Sequence, residues 1–252
     1  MSRLQEKIER NRDRLFPESR AGGFTRSDGT IAFYVRVNSL LDPSQTVLDF
    51  GAGRGRGSED LCSVRRNLLM LKGKAKKVIG IDVDPAVEEN PSLDEFKVIT
   101  PGARIELPDQ SVDMILSDWV LEHIDDPVWF SGEVRRLLKP GGWLCARTPN
   151  KWGLTGLGAR MMPNHLHSSV LSKLTTGRQE RDVFPTRYRL NSLRVLRKWF
   201  PAPGWLHASY VENAEPPYVM RSLAAARLVQ LYWRIAPSWL FTNLHVFIQK
   251  RT

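Results

Sequence analysis

The chain has 252 residues, 42% of them hydrophobic, enough for one large domain with a substantial core. Its net charge of +10 favours anionic partners (nucleic acid, acidic lipid headgroups, phosphorylated glycans or acidic proteins) without choosing among them. Two cysteines exclude a disulfide scaffold, no Cys/His group has zinc spacing, and no apolar run reaches the roughly 18 residues of a membrane-spanning helix.

The N-terminus lacks the apolar stretch of a secretory leader. Together with the cysteine usage this leads us to expect a cytoplasmic protein, with peripheral contact at the inner membrane face left open. Residues 3–16, polar with sparse apolar positions, predict a helical arm, and residues 31–41 a second helix ending at Asp42-Pro43-Ser44. Thr46–Phe50 is a short β-type run closed by glycines, and residues 58–72 resume helical spacing. Further strands are expected at 76–82, 95–99, 112–117 and 143–148, with an amphipathic helix at 127–138 closed by Lys139-Pro140-Gly141-Gly142. Beyond Pro149 the pattern loosens. Residues 191–200 predict a helix, 206–212 a sixth strand, 219–235 a basic amphipathic helix and 244–250 a last strand.

Short buried strands alternating with helices predict an α/β fold: a doubly wound, mostly parallel seven-stranded sheet with an insertion after the fifth strand. We read a single domain over 1–252, with an arm at 1–44, a core at 45–150, an insertion at 150–190 and C-terminal helices and strands at 191–252. Right-handed crossovers align the C-terminal strand ends along one edge, where such sheets bind ligands.

Gly51, Gly53 and Gly55 follow the first strand directly. Glycines there let the backbone turn tightly and approach a ligand closely. The dinucleotide pattern G-x-G-x-x-G is not met: its third glycine falls on Arg56 or Ser58, which disfavours a nicotinamide or flavin cofactor. Asp82 ends the second strand beside this loop, where a carboxylate can accept hydrogen bonds from ribose hydroxyls. Asp84 before Pro85 reads as a helix cap.

With Asp49-Phe50-Gly51-Ala52-Gly53-Arg54-Gly55, Val78–Asp82, Leu107–Ile115, Val120–Ile124 and Glu133–Gly142 in this order, the chain resembles the class I S-adenosylmethionine (SAM)-dependent methyltransferases. The likeness is to the methyltransferase-11 or ubiquinone-methyltransferase-like group, over roughly residues 45–150. The resemblance implies a Rossmann-like methyltransferase fold and SAM as cofactor. By position, Asp49, Gly51, Ala52 and Gly53 would contact its amino-acid portion. Asp82 would bind the ribose, Val83 flank the adenine, and Asp118 and Trp119 line the methionine end. The family's acid four residues before the Leu-Pro pair is here Ala103, next to Arg104, so adenine would rest on backbone groups and apolar contact.

A sulfonium methyl is already electrophilic, so alignment and electrostatics carry most of such catalysis, and an oxygen acceptor gains from a general base. The candidate bases are His123, after the fourth strand, and His165 and His167, in the insertion. Arg187, Tyr188 and Arg189 form a cluster suited to a phosphate or carboxylate on the acceptor. We expect a small-molecule, glycan or lipid-linked acceptor, methylated on oxygen, and no metal. Two rivals are a nucleic-acid (RNA) methyltransferase and a non-catalytic SAM-binding subunit. Glu215-Pro216-Pro217-Tyr218 is similar to a base-flipping motif, but it lies after the sixth strand rather than the fourth. For residues 219–241, arginines interleaved with Leu, Tyr and Trp fit either an interfacial helix or one packed on the sheet.

Overall fold

The computed structural model describes residues 3–154, 156–157, 185–215 and 219–251. In chain order the helices are α1 (Arg3–Leu15), α2 (Gly29–Leu40), α3 (Ser63–Leu69), α4 (Pro127–Leu137), α5 (Leu193–Trp199) and α6 (Leu223–Ile235). The strands are β1 (Thr46–Phe50), β2 (Lys77–Asp82), β3 (Glu95–Val98), β4 (Val112–Asp118), β5 (Leu138–Pro149), β6 (Trp205–His207), β7 (Tyr210–Glu212) and β8 (Asn243–Lys250). They form one sheet of order β3-β2-β1-β4-β5-β8-β6, with β7 also paired to β8.

The strands β3, β2, β1, β4 and β5 are parallel, and β6 runs antiparallel to β8. The α/β, mostly parallel sheet expected from the sequence is therefore present, with eight strands instead of seven. The extra strand arises because the run 206–212 is two strands. Between them the Ala208 N–H donates to the Phe247 carbonyl, and the Ser209 hydroxyl accepts the Phe247 N–H at 3.0 Å. A side chain there replaces a backbone acceptor, and the ladder breaks.

Two other boundaries differ. Lys139-Pro140-Gly141-Gly142 follows the end of α4 as expected but already lies within β5, which begins at Leu138 and not at 143, and the register of β5 against β4 shifts between Val112 and Met114. Leu138 pairs with Val112 and Trp143 with Met114, so the Pro-Gly-Gly stretch bulges out of the ladder. The helix expected at 58–72 is only Ser63–Leu69, preceded by a 3-10 turn at Arg56–Glu59.

The chain divides into two compact units. One comprises residues 30–149, 186–210 and 244–252, the other 1–29, 150–185 and 211–243. They cut across the arm, core and insertion expected from the sequence. In the sheet unit, Phe33 and Val37 of α2 pack on Val47, Met114, Leu116, Cys145 and Phe247. Phe50 meets Phe130 of α4 edge-on, at 5.2 Å between ring centroids. In the other unit, Phe16, Met220 and Ala226 form a separate small core flanked by Ile8, Leu15 and Trp233. Neither cysteine is in a disulfide, and both are buried.

Candidate cofactor and acceptor site

The site is built at the C-terminal ends of β1, β2 and β4, each of which contributes one carboxylate: Asp49, Asp82 and Asp118. The loop after β1 is locked against β2. The N–H groups of Gly51 and Ala52 both donate to the Ile81 carbonyl, at 2.8 and 3.1 Å. The Gly53 N–H donates to Asp82 Oδ2 at 2.8 Å, and the Asp84 N–H to Asp82 Oδ1 at 2.9 Å. The Asn90 side-chain amide donates to the carbonyls of Ala52 and Gly53, at 3.0 Å each. Asp84 caps the turn that follows β2, accepting from the Ala86 N–H as its sequence position predicts.

Two of the loop glycines serve different ends. Gly51 has φ +79°, and a Cβ there would lie 2.3 Å from Val120 Cγ2, so it is small because a neighbour is close. Gly53 has φ +51°, but a Cβ there meets nothing within 4 Å. It faces open space at the edge of the sheet.

On the β4 side, Asp118 is engaged differently. Arg147, on the adjacent position of β5, donates to both its oxygens at 2.7 Å and to the Thr30 hydroxyl at 2.7 Å. The Tyr34 hydroxyl donates to Asp118 Oδ2 at 3.2 Å. Burial, reinforced by the Asp118 carboxylate, holds the Tyr34 phenol well above its ordinary pKa and therefore protonated. Arg147 is only 5% exposed, and its guanidinium lies 5.1 Å from the ring centroid of Trp119, a residue held at φ +60°. Neither Arg147 nor Tyr34 was singled out from the sequence. The signal for them is spatial: Arg147 faces Asp118 only through the β4–β5 register.

Asp49 stands beside both acids. Burial first, then the Asp118 and Asp82 carboxylates, push it up to about 7. The arrangement suits a cationic ligand, which would draw Asp49 into its charged form.

The loop after β4 also anchors the segment 187–191. A buried chain of hydrogen bonds runs from the Asn191 side chain to the Thr148 hydroxyl and on to the Glu122 carboxylate, each at 2.7 Å. The Glu122 carbonyl accepts the N–H groups of Arg187 and Tyr188, at 2.6 and 3.1 Å. Arg187 and Arg189 both face Asp125, at 3.7 and 2.9 Å, and both are about half exposed. Tyr188, between them, has φ +54°. His123 lies on the same loop, half-buried, its N–H donating to the Val120 carbonyl at 2.8 Å. The segment 187–189 and His123 thus converge on one loop. His165 and His167 lie outside the described residues.

At the adenine end, Val83 is 41% exposed, the Ala103 carbonyl accepts from the Trp129 indole, and Arg104 pairs with Asp109 at 2.8 Å. His207 bonds the Phe200 carbonyl at 2.7 Å, and buried His245 is pushed down to about 3 by its surroundings and by Arg147 and Arg36.

The residues present fit SAM: an acid held on the glycine loop, an open face at Gly53, and an anionic edge for a sulfonium. The fold is that of a Rossmann-like sheet of the methyltransferase kind. Residues 48–146 match the family described as "Methyltransferase domain", and the match supports a class I SAM-dependent methyltransferase domain with SAM as its cofactor. The chain is 32% identical over 133 residues to a Mycolicibacterium smegmatis protein named "Probable S-adenosylmethionine-dependent methyltransferase", covering 51% of this chain and 48% of that one. It is 30% identical over 144 residues to a ubiquinone biosynthesis O-methyltransferase of Paramagnetospirillum magneticum, covering 51% and 52%. The chain thus spans about half the length of these curated relatives. Among solved structures, the 4+2 cyclase SpnF superposes with a TM-score of 0.54 at 16% identity, over 98% of this chain and 95% of that one. That likeness is one of fold, and a shared fold carries no reaction with it.

Proposed function

We propose that this chain transfers a methyl group from SAM to a small-molecule, glycan or lipid-linked acceptor, on oxygen. The observation that carries the reading is the β1–β2 edge, where the Asp82 carboxylate is fixed by the N–H groups of Gly53 and Asp84 beside an open face at Gly53. The bound cofactor supplies an electrophilic methyl on a sulfonium. Asp82 holds the ribose, with the second lone pairs of its two oxygens still available after the backbone bonds. Gly51, Ala52 and Gly53 bound the amino-acid portion, and Asp49, at the same edge, offsets both its ammonium charge and the sulfonium. Arg147 neutralises Asp118 and supports the Trp119 ring at the methionine end, so that the edge is shaped before the acceptor arrives.

For the acceptor, His123 is the proposed base at a described position, and Arg187, Tyr188 and Arg189 the proposed anion contact. His165 and His167 are further candidate bases from sequence. The shared Asp125 is an exposed partner for Arg187 and Arg189, worth little in water, so an anionic acceptor can replace it. Support for oxygen comes from the name of the Paramagnetospirillum relative, an O-methyltransferase.

The experiment is incubation of the full chain with SAM and a panel of hydroxylated small molecules, glycans, lipid-linked sugars and RNA, scored by S-adenosylhomocysteine release. Release that requires a free acceptor hydroxyl supports the reading. Release only with RNA transfers the function to nucleic acid, and cofactor binding without release from any acceptor leaves a SAM-binding subunit. Charge reversal at both Arg187 and Arg189 is expected to raise the acceptor KM, and an unchanged KM removes the anion contact.

A further inference from the structure

We propose that the outward face of α6 and the turn after it is a docking surface for an anionic lipid bilayer. This surface lies wholly within the unit formed by residues 1–29, 150–185 and 211–243, and the inference does not rest on methyl transfer.

The helix turns Ala226 and Trp233 toward Phe16, Met220, Ile8 and Leu15. That contact leaves the opposite face in water, and a helix on a globular protein normally presents polar side chains there. Here Leu228, Leu231 and Ile235 occupy it, 67%, 54% and 75% exposed. Spaced by three and four residues, they form one continuous stripe. Trp239, in the following turn, is 59% exposed. The Asn150 side chain holds that turn through the Trp239 and Phe241 carbonyls. Next to Asn150, Lys151 stands 4.9 Å from the ring of Trp152, itself 44% exposed.

The charges bordering the stripe select the occupant. Arg227 and Arg234 are exposed on the same helix, which holds no acid, and no Asp or Glu follows Glu215 anywhere in the chain. A second copy of this helix would set arginine against arginine across a two-fold axis with no carboxylate on either helix to meet them. Lipid phosphates meet them directly, while the aliphatic stripe and the tryptophans enter the headgroup boundary. Among the described residues no helix is long and apolar enough to cross a membrane, so attachment through this face is peripheral.

The test is co-sedimentation of the full chain with vesicles of phosphatidylcholine alone, or mixed with phosphatidylglycerol, at low and raised salt. We expect binding to the mixed vesicles only, weakening as salt rises. The L231E/I235E double variant changes exposed positions and is expected to keep its helicity and Tm but to bind more than about tenfold more weakly. R227Q/R234Q is expected to weaken binding about fivefold per arginine, and it keeps the test decisive should the first variant fail to fold. No sedimentation with mixed vesicles at low salt overturns the proposal. So does binding unchanged in L231E/I235E, which would assign it to the overall charge. A wild-type dimer that ignores vesicles and becomes monomeric in L231E/I235E would assign the face to a second copy.

Discussion

Asp82 and Asp118 end β2 and β4, the two strands flanking β1, yet the chain holds them by different means. Asp82 is bound by two backbone N–H groups from its own neighbourhood, Gly53 and Asp84. Asp118 is bound by a side chain from another strand, Arg147, and by Tyr34 of α2, while Thr30 of the same helix accepts from Arg147. An acid held by amides keeps lone pairs and a free face for a ligand. An acid held by a buried guanidinium becomes part of the frame, and its work passes to what the pair supports, here Trp119.

The largest expected effect tests the framing role. Arg147→Met leaves the Asp118 carboxylate, itself mostly buried, without its partner, and breaking a buried pair costs about 3 kcal/mol. Urea unfolding measures it, and adding Asp118→Asn is expected to recover part of the loss. Full stability in Arg147→Met would erase the contrast between the two acids.

A second pair of variants separates packing from ligand contact within the glycine loop. Gly51→Ala places a Cβ 2.3 Å from Val120 at positive φ, and is expected to cost about 3 kcal/mol of stability. Gly53→Ala carries only the strain of positive φ, about 1 kcal/mol, because its Cβ meets open space. If that space belongs to the cofactor, Gly53→Ala weakens SAM binding about tenfold, a 1.4 kcal/mol loss, in titration calorimetry. An affinity unchanged by Gly53→Ala would move the cofactor away from the loop.

A pH-dependent effect concerns Asp49, whose pKa is raised from 3.8 to about 7. Its folded-state value is raised, so the folded chain holds a proton that the unfolded chain has released. The cofactor-free chain therefore loses stability as pH rises between 3.8 and about 7, and Asp49→Asn removes that slope. A cationic ligand needs the carboxylate charged, so SAM affinity should fall as pH drops below about 7, by up to about tenfold per unit. S-adenosylhomocysteine, without the sulfonium charge, should show a shallower dependence. Equal slopes for the two would separate Asp49 from the sulfonium.

The contrast between the two acids also explains what could be read in advance. β1, β2 and β4 are buried parallel strands, and such strands appear as unbroken apolar runs ending in an acid or glycine, so their limits were legible to within a residue. The Gly53–Asp82 contact follows from the order of loop and strand alone. The Asp118–Arg147 pair does not, because it depends on the register of β4 against β5. That register includes a bulge at a Pro-Gly-Gly stretch that reads locally as a stop. The helix at 223–235 was legible as amphipathic. Its outward face was not, since the arginines and leucines are interleaved and only the small core of Phe16, Met220 and Ala226 fixes which side turns in.

Titration of S-adenosylhomocysteine into the full chain and its Asp82→Ala variant decides whether the Asp82-held glycine loop is the cofactor site. We expect saturable one-to-one binding to the native chain, weakened about 100-fold or more in the variant, a loss of about 2.7 kcal/mol, with the fold retained by circular dichroism. Absence of binding to the native chain, or equal affinity in the variant, would contradict that assignment.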